Sequence, residues 1–189
     1  MTSIAATGRM PVASRLLAAL VAACAMLAVC AAAASGAQVH AGGSQYVEPE
    51  PVPGKAILAP DGRTAIPPAD APPQVVRAIL AANRIVDKPY KWGGGHARVD
   101  DSGYDCSGTV SYALLAAKTL TAPLASGGLM SWGRRGKGRW ITVYSNPGHA
   151  YAVIAGLRLD TSGPGERGPR WRPQPRSSAG FVARHPRGL

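Results

Sequence analysis

The sequence predicts an α+β fold in which helices precede an antiparallel sheet. Two observations carry this. Apolar residues recur at spacings of three and four in two segments, Val75 to Asn83 and Cys106 to Lys118, which is the period of a helix with a buried face. From Trp140 onward the pattern changes to short apolar runs bounded by Gly, Pro, Asn or Ser, the signature of strands. Helices first and strands after argue for a sheet with the helices gathered against it, rather than for alternating parallel units.

The whole chain bounds that reading. It has 189 residues, 46% of them hydrophobic and 16% charged, which argues against a wholly disordered chain and fits one domain. A transmembrane bundle, a repeat array and a multidomain machine are excluded. Lys and Arg number 21 against 10 Asp and Glu, a net charge of +11, so anionic partners are favoured.

Taken in order, the first segment is a leader. Arg9 and Arg15 precede an apolar run from Leu16 to Ala34, followed by Ser35-Gly36-Ala37. Positive flank, apolar stretch and small residues make a secretory signal peptide over residues 1–37, cleaved after Ala37. A single membrane anchor is one alternative, because the run approaches the length that spans a bilayer. A lipoprotein is another, since Leu27-Ala28-Val29-Cys30 resembles a lipid-attachment site, although Val29 is larger than such sites take. Removing the leader takes away two Arg and no acid, so the charge becomes +9, and Cys24 and Cys30 leave with it. Cys106 is then the one cysteine, and a lone thiol in an oxidising compartment asks for a reason.

Residues 38–73 are expected to be a tether, because eight of the 17 prolines fall between Pro49 and Pro73 and favour extended chain. Residues 74–189 make the folded domain. Its first helix begins after Pro73 and ends near Asp87, before Pro89. A glycine-rich loop follows, Pro89-Tyr90-Lys91-Trp92-Gly93-Gly94-Gly95, without the spacing of a phosphate loop. The second helix places Val110, Ala113, Leu114 and Ala117 on one face. After a Gly-rich basic loop (126–139), strands are expected at Trp140 to Tyr144, Ala150 to Ala155, Leu157 to Thr161 and Gly180 to Arg184.

Cys106 lies in Asp105-Cys106-Ser107-Gly108, at the start of the second helix. Free N–H groups and the helix dipole favour an anion there, so the position would lower the thiol pKa. The competing reading is a small buried hydrophobe. Of four histidines, His40 lies in the tether, His96 in the glycine loop and His185 near the C-terminus. His149 follows the turn Asn146-Pro147-Gly148 and opens an apolar strand, where a general base would reach the sulfur; otherwise it is an exposed turn histidine. If Ala155-Gly156 is a two-residue hairpin turn, Ile154 pairs with Leu157. Asp160 then lies opposite Tyr151, diagonal to His149 and on its face, where it would orient the imidazole. A one-residue slip would put Thr161 there instead, and Arg158 is a near neighbour of the carboxylate. No Cys/His cluster has metal-ligand spacing, so no metal and no cofactor are expected.

The ordered set Pro-Tyr-x-Trp-Gly-Gly, Asp-Cys-Ser-Gly, then Gly-His and an apolar strand resembles the NlpC-type cell-wall peptidases, papain-like cysteine hydrolases of bacterial peptidoglycan. The resemblance covers about Val75 to Thr161. It implies a papain-like fold and cleavage of peptidoglycan stem peptides, typically between D-glutamate and the following diamino acid. Cys106 would be the nucleophile, His149 the base and Asp160 its orienting partner. The family usually has His, Asn or Gln at this third position, so Asp160 is a departure. Tyr90 would line the site and assist substrate or an oxyanion, Asp105 and Ser107 would recognise the stem peptide, and Trp92 would wall the pocket or pack in the core.

The expected protein is a secreted, monomeric peptidase in the cell wall or periplasm. Its basic C-terminal stretch, with Arg158, Arg167, Arg170, Arg172, Arg176, Arg184 and Arg187, would attract anionic wall polymers. Nucleic acid is not an expected partner, because no binding motif accompanies the charge. Two alternatives are a catalytically weak wall-binding module and a thiol-dependent amidase or acyltransferase on another substrate.

Overall fold

The computed structural model describes residues 51–165 and 167–189. The leader with Cys24 and Cys30, His40 and the first part of the tether, residues 38–50, lie outside the described residues. Among those described, the helices are α1 (Pro73–Asn83), α2 (Cys106–Ala116) and α3 (Ser126–Leu129). The strands are β1 (Ile57–Leu58), β2 (Ala65–Ile66), β3 (Arg134–Arg135), β4 (Ile141–Asn146), β5 (His149–Ile154), β6 (Leu157–Asp160), β7 (Arg170–Arg172) and β8 (Val182–His185). β1 and β2 form a hairpin, and the other six make one antiparallel sheet in the order β3-β8-β4-β5-β6-β7. The α+β class is therefore as expected.

Pro73 opens α1, at the position where a missing N–H costs nothing. Val75, Ala78, Ile79 and Ala82 are buried against α2, whereas Leu80 is exposed. α2 is buried almost all round: Val110, Ala113, Leu114 and Ala117 are fully enclosed, and Thr109 and Ser111 with them. The helix lies against β5 and β6. Alternation along the sheet sends Ile141, Val143, Ala150, Ala152, Ile154, Leu157, Leu159 and Trp171 into the core beneath it. The opposite face carries Tyr144, Tyr151, Arg158 and Asp160.

The register of β5 and β6 follows from their turn. Ala155 (φ 48°) and Gly156 (φ 85°) are both left-handed, as a two-residue hairpin turn matched to strand twist requires. Ile154 pairs with Leu157, Val153 with Arg158 and Ala152 with Leu159. Continuing this pairing sets Asp160 opposite Tyr151, the expected register.

Two expectations need correction. The Pro-rich tether does not extend to residue 73, because most of residues 56–73 belong to the folded unit. Asp61 closes the β1–β2 hairpin by accepting hydrogen bonds from the N–H groups of Arg63 (2.7 Å) and Thr64 (2.9 Å). The Ala56 N–H then donates to the Ala155 carbonyl (2.8 Å). The Asn83 side-chain amide accepts from the Ala65 N–H and donates to the Ala65 carbonyl, both at 2.9 Å, while also accepting from Trp171 Nε1 at 2.8 Å. The prolines sit between these contacts, where no backbone donor is needed. The basic C-terminal stretch is likewise structured in part: Arg170-Trp171-Arg172 forms β7, with Trp171 buried and an arginine on either side. Among the described residues, no helix is long and apolar enough to cross a membrane.

Candidate active site

Cys106 is the first residue of α2 and a free, mostly buried thiol. The position is held by Asp105 as helix cap. Its Oδ1 accepts from the Gly108 N–H (2.6 Å) and the Ser107 hydroxyl (3.1 Å), and its Oδ2 accepts from the Gly93 N–H (3.1 Å). The cap thereby ties the glycine loop to the nucleophile turn. The glycines allow this approach, since a Cβ on Gly108 would collide with the Gly94 carbonyl, and one on Gly94 with the Gly103 carbonyl. The Cys106 N–H donates no hydrogen bond among the described residues, so it remains open at the positive end of the helix.

His149 is the first residue of β5, so the two side chains meet where their elements begin. Asn146 positions the histidine: its Oδ1 accepts from the N–H groups of Gly148 (3.0 Å) and His149 (2.8 Å). His149 Nε2 lies 2.9 Å from Asp160 Oδ1, which leaves Nδ1 unused by Asp160, and the imidazole is near enough to Cys106 for each to shift the other's pKa. Ser126 Oγ lies 3.8 Å from Sγ.

Asp160 is fully buried and fully used. The Ser162 N–H (2.9 Å) and hydroxyl (3.0 Å) bind Oδ1, Arg176 Nη1 binds Oδ2 (2.7 Å), and Arg158 Nε stands 3.7 Å from Oδ2. Arg176 also donates to the Ser162 hydroxyl (2.8 Å) and lies over the rings of Tyr151 and Phe181. Burial works against the carboxylate, yet the hydrogen bonds from His149, the Ser162 backbone and Arg176 hold its pKa down to about 2. Burial also disfavours a charged imidazole. Its hydrogen bonds to Asp160 and Cys106, and their negative charge, nevertheless raise His149 to about 9. For Cys106, burial pushes the thiol up, but His149, the Ala150 backbone and Ser126 bring it below its ordinary value. These directions favour a thiolate facing an imidazolium.

Two cavities meet over this pair. One, of about 360 Å³, is bounded by His96, Asp105, Cys106, Ser107, Ser126 and Gly148 among others. The second, of about 520 Å³, runs past His149, Thr161, Ser162 and Arg167. Tyr90 and Trp92 border both, giving a groove with the thiol along its floor. Negative charge on Cys106 is near enough to Tyr90 to help burial raise its hydroxyl pKa. Trp92 is 87% exposed, so it is a groove rim rather than core packing. Asp105 and Ser107 do line the groove, but both are buried and committed to the cap.

The expected residues Cys106, His149 and Asp160 thus converge. Sequence reasoning missed Ser126, Ser162, Arg176 and His96, whose Nε2 lies 3.1 Å from both Asp105 Oδ1 and Ser107 Oγ. For His96 the signal was present, because it directly follows the glycine loop that Asp105 anchors. Among the described residues, no group of three or more His, Cys, Asp or Glu side chains is arranged to hold a metal. No protein-family model matches the sequence, and no curated protein matches it at a significant level.

Proposed function

We propose that this chain is a secreted cysteine peptidase of the NlpC type, on a papain-like scaffold, that hydrolyses stem-peptide amide bonds of peptidoglycan between D-glutamate and the following diamino acid. The observation that carries the reading is a Cys106 thiol at a helix start, beside a His149 that lowers its pKa and whose Nε2 is held by Asp160 at 2.9 Å, along the floor of an open groove. The motif order and the leader supply the substrate class.

In this reading the Cys106 thiolate attacks the amide carbonyl carbon, and the carbonyl electron pair moves to oxygen. The open Cys106 N–H and the α2 dipole stabilise that oxyanion, with the Tyr90 hydroxyl at the groove edge. The tetrahedral intermediate collapses as the C–N bond breaks and His149 gives its Nδ1 proton to the departing amine. A thioester remains. His149, now neutral, takes a proton from water, whose oxygen attacks the thioester carbon. The C–S bond breaks, the acid product leaves, and thiolate and imidazolium are restored. Asp160 keeps the ring oriented and favours its charged form throughout.

The test is a digestion. Purified protein and Cys106→Ala are incubated with several peptidoglycan preparations and defined stem peptides, and the products are read by mass spectrometry. Products from the wild type alone, cut after D-glutamate, are expected. No product from either protein, with retained sedimentation on cell walls, would replace this reading with a wall-binding module. A rapidly alkylated Cys106 without wall products would favour an amidase or acyltransferase.

A further inference from the structure

A further cavity lies on the sheet face turned away from the helices, beside the arginines that meet Asp160. It encloses about 240 Å³, and its wall includes Lys137, Tyr144, Tyr151, Arg158, Arg172 and Arg176. The charged side chains that line it are all basic. Arg158 and Arg172 are directly paired across β6 and β7, where like charges repel. Arg176 enters from the following segment and stacks on Tyr151, 4.9 Å from the ring centre. The carboxylate beside them, Asp160, is fully buried and already shared by His149, Ser162 and Arg176.

Arg158 is the informative residue. Its side chain is only 9% exposed, its Nε has no hydrogen-bond partner, and its contact with Asp160 is at 3.7 Å. A guanidinium has five N–H donors, and among the described residues the buried Nε of Arg158 is not matched by a hydrogen bond. Buried charge of this kind is ordinarily paired. Arg172 and Arg176 repel it further, and its pKa is lowered by burial and by both neighbours, against the pull of Asp160.

We propose that this cavity binds a phosphate group, free or within an anionic polymer. A planar carboxylate offers two oxygens to one guanidinium fork, whereas several guanidinium groups and an ammonium around one cavity match the oxygens of a tetrahedral phosphate. The proposal goes beyond the hydrolytic reading and does not depend on it.

The test is calorimetric titration of the full chain with inorganic phosphate and, separately, a glycerol phosphate oligomer. Salt is kept at about 0.15 M, so that diffuse attraction to a basic protein is screened. Saturable binding of one phosphate group per chain is expected. Lys137→Gln, at an exposed position, should weaken it about threefold, and Arg172→Gln about tenfold, reflecting an exposed and a more enclosed charge contact. Arg172 also donates to the Pro164 carbonyl; should its variant fail to fold, Lys137→Gln and Lys137→Glu carry the test. Lys55→Gln, an exposed lysine outside the cavity, should leave the affinity unchanged. Tighter binding of the oligomer would assign the site to a polymer, and tighter binding of inorganic phosphate to the small ion; both support it. No saturable binding from either source, or equal loss in Lys55→Gln and Lys137→Gln, would overturn it.

Discussion

Two histidine–aspartate pairs flank Cys106, and their surroundings differ. On the sheet side, His149 meets Asp160 at 2.9 Å; on the loop side, His96 meets Asp105 at 3.1 Å. The distances are nearly equal, but the surroundings differ. Asp160 sits in a closed shell with Ser162 and Arg176, so its charge is fixed toward one ring nitrogen of His149 and the other is left for sulfur. Asp105 spends its oxygens on the N–H groups of Gly93 and Gly108. His96 Nε2 meets both Asp105 and Ser107, just as His149 Nε2 meets both Asp160 and Ser162, but it is His149 that lowers the Cys106 pKa. In the proposed mechanism the first pair moves a proton, whereas the second holds a wall. A His–Asp contact alone therefore does not mark a catalytic pair; the use made of the remaining nitrogen and oxygens does.

The largest test of this contrast replaces each histidine. His149→Ala should lower kcat by about 10³-fold or more, since both proton transfers pass through it. His96→Ala should act chiefly through KM, raising it about tenfold and leaving kcat within about threefold. Equal losses of kcat would break the distinction.

Asp160→Asn comes next. An amide can accept from the imidazole or face Arg176 with its oxygen, but it has one oxygen where the carboxylate has two. A loss of about 10- to 100-fold in kcat is expected. The upper limb of the pH profile should also move to lower pH, because His149 loses the charge that raises it. Unchanged pH dependence would mean that Asp160 only packs.

The wild-type profile itself separates thiol from imidazole. Hydrolysis needs thiolate and imidazolium together, so it should fall below the depressed thiol pKa and again above about 9. Alkylation of Cys106 needs only the thiolate and should persist above that point. Stability follows the same groups. His149 is raised from 6.5 to about 9, so its stabilising contribution is complete below 6.5 and lost as pH rises through about 9. Asp160 is depressed from 3.8 to about 2, so its contribution is present above 3.8 and lost as pH falls through about 2. Thermal melts of Asp160→Asn should lack the part of the acid transition between those two values.

The smallest effect belongs to the wall pair. Asp105→Ala removes a helix cap and should reduce stability by about 1–2 kcal/mol, read from denaturant unfolding. It should lower activity less than Asp160→Asn does. A larger kinetic loss than that variant would place Asp105 in the chemistry rather than under it.

Much of the His149–Asp160 pair was legible because its cues are local. The Ala155-Gly156 turn set the register that puts Asp160 diagonal to His149, and period-two alternation put both on one face. The Asp-Cys-Ser-Gly segment marked a helix start through its capping aspartate. Arg176 was not legible as a partner of Asp160, because the intervening segment has no periodicity that fixes its path. The β1–β2 hairpin was hidden for a related reason: proline density masked two-residue strands whose stability comes from Asn83 and the Ala155 carbonyl.

By itself, then, the sequence determined the helix and strand periods, the turn that fixes β5 against β6, and the placement of a thiol at the positive end of a helix. Those depend on backbone sterics and on side chains a few residues apart. Tertiary structure alone decided which charges surround Asp160, that Trp92 stands at the groove rim, and that Arg158 Nε is buried without a hydrogen bond among the described residues. These outcomes depend on where loops return in space, and solvation and Coulomb energy are set by that proximity rather than by order along the chain.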